Sequence, residues 1–280
     1  MPTPLAERFR EMVTFVYPAA AAVVLFLILV ATWCWLHRRY RHTIETTVSQ
    51  FNKYVDAAGR DFLELRPPQA VDFSAHIVCL TGLLPLGLHK LLAGEVARIV
   101  EDERSYIPYH KAGGTLSYQS LIRLAPGVVA FYQSPYLRQL ISSIVGESVM
   151  TTPLWDQSSC SILKYTKPGD RIGWHYDHNF YRGRHFTALY VLNNHGPNGL
   201  SSAQLQTRAV GEVKTYPTEE GSLVVFEGCR VFHRVTPLAA GEYRVMLSMT
   251  FTTDPGNSFL QGVLRRLKDV AYFGPRALWT

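Results

Sequence analysis

The stretch 171-RIGWHYDHNF-180 places two histidines and an aspartate within four residues, as His175, Asp177 and His178. In an extended strand the side chains of residues i and i+2 lie on the same side, so His175 and Asp177 would project together while His178 faces away. One imidazole and one carboxylate on a strand supply two neighbouring metal ligands. A metal site needs at least one more ligand, and that ligand must come from elsewhere in the chain.

The third ligand is predicted at His233, which follows the apolar strand 222-SLVVF-226 and would begin the next edge of the sheet. Two imidazoles and one carboxylate on one face of an octahedral ion leave three positions open, an arrangement associated with non-haem iron(II). The same ligands also suit a catalytic zinc. The other histidines near this region are interpreted as surface or loop residues and not as ligands: His178, His185 and His195.

A basic residue downstream of His233 distinguishes the two metals. Arg244 opens the strand 243-YRVMLSMTF-251, whose other members are almost all apolar. A guanidinium in such a strand is costly unless an anion pairs with it, and its planar fork suits a carboxylate. Tyr165, on the strand before His175, can add a hydroxyl to the same carboxylate. An iron(II) oxygenase that binds an organic acid needs such a cation, whereas a zinc hydrolase does not.

These residues together resemble the iron(II)/2-oxoglutarate dioxygenases, and among them the prolyl 4-hydroxylase-like branch. The segments that carry the resemblance are 163-LKYTKPGDRIGWHYD-177, 186-FTALYVLN-193, 222-SLVVFEGCRVFHRVTP-237 and 241-GEYR-244. The resemblance implies a mainly β fold with flanking helices, in which a double-stranded β-helix (jelly roll) is buttressed by helices from residues 70–150. The dioxygenase domain would cover residues 70–256, with the barrel core at about 158–252.

The resemblance also implies the chemistry of the site. His175, Asp177 and His233 would bind Fe(II), Arg244 would bind the C5 carboxylate of 2-oxoglutarate, and Tyr165 would assist. The reaction would be hydroxylation by O₂, which yields succinate and CO₂, with ascorbate as a further candidate cofactor. Halogenase variants replace the metal-binding carboxylate to make room for halide, and the aspartate at position 177 argues against them.

One segment departs from the family pattern. Many relatives carry a Gly-Gly-x-Thr-x-Phe strand where this chain has 199-GLSSAQLQTR-208. The substrate side of the barrel is therefore expected to differ in shape.

Residues 12–36 contain no charged residue and predict a single transmembrane anchor. A cleaved signal peptide would have a shorter apolar region that ends at small residues, whereas this one ends in 33-WCWLHRRYR-41. Three arginines follow the segment and two precede it, so the positive-inside rule places the catalytic domain in the cytosol. The endoplasmic reticulum is one candidate membrane.

Two further segments are predicted as amphipathic helices. Residues 37–69 form a juxtamembrane segment in which apolar residues recur at intervals of four and three over 44–65. It is interpreted as a helix that lies on the membrane or on its own domain, with a dimerising stalk as the alternative, through which the chain would form a homodimer. Residues 257–280 form a C-terminal helix and tail whose apolar arc is expected to pack against the barrel, with docking on the membrane surface as the alternative.

Composition narrows the set of partners. The net charge of +6 is modest, and no basic run is interleaved with aromatic residues, so nucleic acid is excluded as a partner. The four cysteines are widely spaced and form no CxxC pair, so neither a zinc cluster nor a disulfide framework is indicated.

The substrate is inferred from the loop 104-RSYIPYHKAGG-114, which precedes the barrel and is expected to cover its mouth. Its aromatic residues beside cations favour an extended polypeptide, with a protein residue such as proline as the site of hydroxylation. A lipid or another membrane-proximal small molecule is the alternative substrate. A further alternative is a non-catalytic anchored scaffold that binds a partner through 196-GPNGLSSAQ-204.

Overall fold

The computed structural model describes residues 12–58, 71–100, 103–107 and 109–274. The chain separates into two compact units, one up to Thr43 and the other from Ile44 onward. The first unit is helical: one π-helical stretch, Met12–Val16, leads into helix α1, Tyr17–Ala58, which continues into the second unit. The region Met12–Gln50 is long and apolar enough to cross a membrane, and none of its most apolar window is buried. The predicted juxtamembrane segment is helical through residue 58, and its remainder lies outside the described residues.

The second unit contains the remaining elements. Its helices are α2 Leu86–Ala97, α3 Tyr118–Leu124, α4 Pro126–Gln133, α5 Pro135–Val145 and α6 Phe259–Phe273. The strands up to His175 are β1 Ile77–Leu80, β2 Glu103–Ile107, β3 Lys111–Leu116, β4 Met150–Thr151, β5 Cys160–Tyr165 and β6 Arg171–His175. The later strands are β7 His185–His195, β8 Leu205–Ala209, β9 Glu212–Tyr216, β10 Leu223–Phe226, β11 His233–Val235 and β12 Tyr243–Thr252.

The described strands form a single antiparallel sheet in the order β1-β10-β7-β12-β5-β3-β6-β11-β8-β9, with β2 paired to β3 and β4 paired to β12. The sheet curls into a nearly closed, jelly-roll-like barrel, as predicted. Its interior is filled by apolar side chains such as Leu189, Val224 and Met246, which alternate along their strands with residues that face outward. The predicted strands around residues 159–165, 187–193 and 222–227 are confirmed within one or two residues.

Helices α2 to α5 flank the barrel and lie within residues 70–150, where flanking helices were expected. Ser117 caps α3 by accepting a hydrogen bond from the Ser120 amide at 3.3 Å, and the Glu95 carboxylate accepts hydrogen bonds from the first amides of α4. Both helices are short, and helices of this length are not stable by themselves. The complete burial of Phe131 and Tyr132 stabilises α4.

The predicted covering loop at residues 104–114 is instead a β-hairpin, and this part of the prediction is wrong. Strand β3 pairs with both β5 and β6 and is therefore part of the barrel wall. Its glycines allow close packing and are not a source of flexibility. A Cβ at Gly113 would lie 3.1 Å from two carbons of the Tyr165 ring, so the residue there must stay small.

Helix α6 packs with the opposite face from the one expected. Most of its apolar arc is exposed, with Phe259 89%, Leu260 65% and Leu267 60% exposed, whereas Arg265 and Asp269 are buried. Arg265 donates to the Asp269 carboxylate at 2.7 Å and to the Trp155 carbonyl oxygen at 2.6 Å. The rim of the barrel therefore presents polar partners, and these determine which face of the helix is buried. The predicted packing of the apolar arc on the barrel is wrong.

Candidate active site

The three predicted metal ligands converge at one end of the barrel. His175 is the last residue of β6 and His233 the first of β11, and these two residues are paired directly across the two strands. Asp177 lies just past the end of β6. Its Oδ1 atom is 3.4 Å from Nε2 of His175 and 3.7 Å from Nε2 of His233. One ligand atom from each residue lies within 4.8 Å of the others, so a single ion can contact all three.

Both imidazoles are held in the same orientation by the backbone. Nδ1 of His175 donates to the Gly173 carbonyl oxygen at 2.8 Å, and Nδ1 of His233 donates to the Val231 carbonyl oxygen at 2.8 Å. Because a carbonyl oxygen can only accept, each neutral ring carries its proton on Nδ1 and leaves the Nε2 lone pair for a metal. Such outer hydrogen bonds fix the tautomer and the ring plane of metal-binding histidines.

The Asp177 carboxylate is fixed by two residues that the sequence did not single out as functional. Thr187, on β7, donates from Oγ1 to Oδ2 of Asp177 at 3.0 Å, which leaves Oδ1 directed between the histidines. The Asp177 amide donates to the Gly228 carbonyl oxygen at 3.0 Å. A Cβ at position 228 would lie 2.5 Å from Cβ and 2.6 Å from Cγ of Asp177, so only glycine leaves room for the carboxylate.

The protonation states of Asp177 and His233 favour metal binding. Burial alone would raise the pKa of Asp177, but its interactions with His175 and His233 hold it well below its usual range. Burial lowers the pKa of His233. Burial would also lower the pKa of His175, yet its hydrogen bond and charge interaction with Asp177 raise it above the ordinary value. An ionised carboxylate and a neutral His233 are therefore the expected forms near neutral pH, and these are ligand forms.

Arg244 lies inside the barrel without a partner for its charge. Its side chain is fully buried, and none of its three nitrogens has a hydrogen-bond partner within the described residues. Tyr165 is opposite it in the β5–β12 pairing, and its hydroxyl is also buried and without a partner. Burial lowers the pKa of Arg244, as expected for a cation without a facing anion. A guanidinium and a phenol that face the same space have the donors that one carboxylate needs.

The metal ligands and Arg244 open into one cavity of about 560 Å³. Its wall includes three residues from the predicted covering segment and α6, namely His110, Lys111 and Tyr272. The Tyr272 hydroxyl lies 2.6 Å from Nε2 of His110, and the His110 ring packs edge-on against the ring of His175 with centroids 5.0 Å apart. Helix α6 and the β2–β3 hairpin therefore meet beside the metal ligands.

The remaining histidines separate into two groups. His178 and His195 are exposed, and His178 also lines the cavity. His185 was predicted at the surface or in a loop, and this is wrong, because it is buried at the start of β7 and lines the cavity. Its ring stacks on Tyr181 with centroids 5.7 Å apart, and burial lowers its pKa.

The residues present fit both Fe(II) and 2-oxoglutarate. The two imidazole nitrogens and one carboxylate oxygen form the donor set of a facial triad, which leaves the opposite side of the ion open. The buried polar atoms of Arg244 and Tyr165 lack partners that the distal carboxylate of 2-oxoglutarate would supply.

Two family models match the chain. Residues 160–252 match the 2OG-Fe(II) oxygenase superfamily, and residues 69–183 match a family described as Halogenase D. The second match includes position 177, where this chain has an aspartate positioned between the two histidines. If Asp177 binds the metal, its carboxylate would take the position that a halide would need. No curated protein matches the chain.

Solved structures share the fold at low identity. A prolyl hydroxylase from Trichoplax adhaerens, in complex with a hypoxia inducible factor oxygen degradation domain peptide fragment, is 15% identical with a TM-score of 0.52; the match covers 82% of this chain and 96% of that chain. AviO1 from Streptomyces viridochromogenes Tue57 is 16% identical with a TM-score of 0.51, over 68% of this chain and 98% of that one. The non-haem α-ketoglutarate-dependent epimerase SnoN from nogalamycin biosynthesis is 14% identical with a TM-score of 0.52, over 63% and 76%.

The barrel, the converging triad and the buried guanidinium all lie within or beside the segment that matches the oxygenase model. Residues 160–252 therefore form a domain that matches the 2OG-Fe(II) oxygenase superfamily, and this match indicates a dioxygenase.

Proposed function

We propose that the protein is a membrane-anchored hydroxylase that inserts one oxygen atom of O₂ into a C–H bond of its substrate. The observation that carries the proposal is that the complete ligand set of His175, Asp177 and His233 shares one cavity with Arg244, a buried cation without an acid partner. A binding scaffold would have no need of both features, so the non-catalytic alternative is not favoured.

In this reaction the protein would position the metal and the cosubstrate and shield them from water. Bound Fe(II) would supply the activation of O₂, coupled to the decarboxylation of 2-oxoglutarate to succinate and CO₂. His175, Asp177 and His233 hold one side of the ion, while Arg244 and Tyr165 orient the C5 carboxylate of the cosubstrate. Apolar side chains such as Leu189, Phe226 and Met246 line the cavity and limit the access of water.

A polypeptide is the first candidate substrate, with a residue such as proline as the site of hydroxylation. Two aromatic side chains support it: Tyr106 on β2 and Tyr109 in the adjoining turn, the second 95% exposed. They lie at the hairpin whose next residues, His110 and Lys111, line the cavity. Exposed tyrosines beside a cavity provide rigid surfaces on which an extended peptide can pack. The Trichoplax adhaerens prolyl hydroxylase has a peptide bound.

A membrane-proximal amphiphile is the second candidate, and the orientation of α6 favours it. Leu264 and Phe273 of this helix line the cavity, while Phe259, Leu260 and Leu267 turn outward as an exposed apolar surface. A contiguous apolar surface beside the entrance would let a lipid-like molecule reach the metal without crossing water.

The two substrate classes are separated by a turnover assay on the full chain in detergent, supplied with Fe(II), 2-oxoglutarate and ascorbate. We expect succinate formation coupled to a mass gain of one oxygen in a peptide pool rich in proline. If turnover occurs only with extracted membrane lipids, the amphiphile and not the polypeptide is the substrate. The absence of any 2-oxoglutarate decarboxylation, even without substrate, would contradict the hydroxylase itself.

We further propose that the apolar helix is a single-pass anchor and that the catalytic domain faces the cytosol. The support is the arginine excess after the apolar segment and the absence of an N-x-S/T sequon in the chain. A glycosylation sequon engineered into residues 194–199 should therefore stay unmodified in cells, and efficient glycan addition there would place the domain in the lumen. The homodimer through residues 44–65 stays a prediction.

A further inference from the structure

A second buried cation lies in the active-site cavity. Lys111 is the first residue of β3, is only 3% exposed and lines the same cavity as the metal ligands. Its ammonium donates to Oγ1 of Thr115 at 2.6 Å and lies 4.9 Å from the centre of the Tyr272 ring. Within the described residues no carboxylate lies at ion-pair distance from it. A buried lysine is costly when neutral groups are its only partners.

The other charges at the cavity balance one another. Asp156 and Asp269 at the rim pair with Lys268 and Arg265. At the metal, the two charges of Fe(II) and the single charge of Arg244 would be matched by the carboxylate of Asp177 and the two carboxylates of 2-oxoglutarate. Lys111 is then the charge left without a counterpart among the described residues that line the cavity. The surplus is one positive charge.

Lys111 and Arg244 reach the cavity from different strands of the barrel. Lys111 is paired with Ile172 of β6, the strand that ends in His175, and the ring of the adjacent His110 packs on that ligand. Arg244 is on β12, opposite Tyr165 of β5. Gly113, the next residue on the Lys111 side of β3, is the one that packs against the Tyr165 ring. The Lys111 ammonium lies 4.9 Å from the centre of the Tyr272 ring, so it faces the α6 side of the cavity, where substrate would enter.

We propose that Lys111 binds a carboxylate of the substrate, so that the enzyme acts on an acid with a single negative charge near the hydroxylated carbon. The inference rests on the proposed function, in which Arg244 binds the cosubstrate and is therefore not available for the substrate. An ammonium has three donors, and one is used by Thr115, so two remain for the oxygens of a carboxylate. A monoanion restores neutrality, whereas a phosphate dianion would leave a negative excess.

Burial lowers the pKa of Lys111 to about 7, so the empty site holds its proton weakly near neutral pH. A bound carboxylate would stabilise the ammonium and raise that pKa, because an opposite charge at short range favours the charged form. The cavity thus gains a full ion pair only when an acid enters.

The test uses the full chain in detergent, kept anaerobic and saturated with Fe(II) and 2-oxoglutarate, with two probes of equal size, hexanoate and hexanamide. Calorimetry should show that hexanoate binds at least about 10-fold more tightly than hexanamide. Lys111→Met should abolish that preference, and Lys111→Arg should retain part of it. Lys164→Met is the matched control, since Lys164 is a strand lysine whose ammonium donates to the Ile99 carbonyl oxygen away from the cavity.

Three outcomes would overturn the inference. One is equal binding of the two probes by the unmodified protein, and another is a preference for hexanoate that survives Lys111→Met. The third is a loss of 2-oxoglutarate affinity in Lys111→Met, which would assign the lysine to the cosubstrate. Failure of the proposed function is seen separately, as the absence of the iron-to-2-oxoglutarate charge-transfer band before any probe is added. An acetylated dipeptide with a free or an amidated carboxyl end then distinguishes a peptide acid from an aliphatic one.

Discussion

His233→Ala, His175→Ala and Asp177→Ala are each expected to abolish Fe(II) binding and turnover. Each change removes one of the three protein donors that lie within 4.8 Å of one another, and the two that remain cannot hold the ion on one face. The measurement is an anaerobic titration with Fe(II) and 2-oxoglutarate, followed by the charge-transfer absorption of the complex. The band should be absent in all three variants. A full band in His233→Ala would contradict the ligand assignment.

Two further variants test the same assignment, one with a partial expected loss of Fe(II) affinity and one with no expected effect. Gly228→Ala leaves all three ligands in place but puts a methyl group where the Asp177 side chain lies, so the carboxylate must move. We expect its Fe(II) affinity to fall by about 10- to 100-fold, the range known for changes just outside a metal's ligands. His195→Ala is the matched control, because His195 is an exposed histidine at the end of β7 and should leave the titration unchanged.

Arg244→Leu is expected to raise the KM for 2-oxoglutarate by at least about 30-fold, with little effect on Fe(II) binding. The substitution leaves the C5 carboxylate of the cosubstrate buried without its cation, a loss of about 2–5 kcal/mol. Initial rates against 2-oxoglutarate concentration measure the change, and binding of Fe(II) alone serves as the internal reference. A KM shift of less than a few fold would mean that another cation holds the acid, and Lys111 would be the first to examine.

Stability distinguishes a lost binding contact from a damaged fold in this variant. Arg244 is a fully buried charge without a protein partner, so its replacement by leucine removes a desolvation cost and should not lower Tm. The control is Arg208→Leu, since the Arg208 guanidinium stacks on Trp174 at 4.5 Å and does not line the cavity. That variant should keep the KM of the unmodified protein.

The ligand set and the cosubstrate cation were predictable because their signals are local. Alternation along a strand places His175 and Asp177 on one side, and an arginine in an apolar strand demands an anion wherever that strand lies. The strands themselves follow from short apolar runs between turn residues, and the apolar helix follows from an uncharged segment of sufficient length. These features depend on residues near one another in the sequence, so the fold class could be read from it and the site residues could be named as candidates.

The contacts that complete the site could not be read in this way. Thr187 and Gly228 support Asp177 from distant strands, and neither has a local pattern that distinguishes it from a core threonine or a turn glycine. Lys111 was assigned to a covering loop because two glycines follow it, yet pairing of β3 with β5 and β6 puts its side chain inside the barrel.

The sequence indicated an apolar helix, a β-barrel, three candidate metal ligands and an arginine within an apolar strand. The folded structure was needed to show which face of α6 is buried and which further residues line the cavity. Periodicity shows that a helix has two faces, but the face that packs depends on the partner. Here that partner is a polar rim at Trp155 and Asp156, with which Arg265 and Lys268 pair, so the apolar face remains outside.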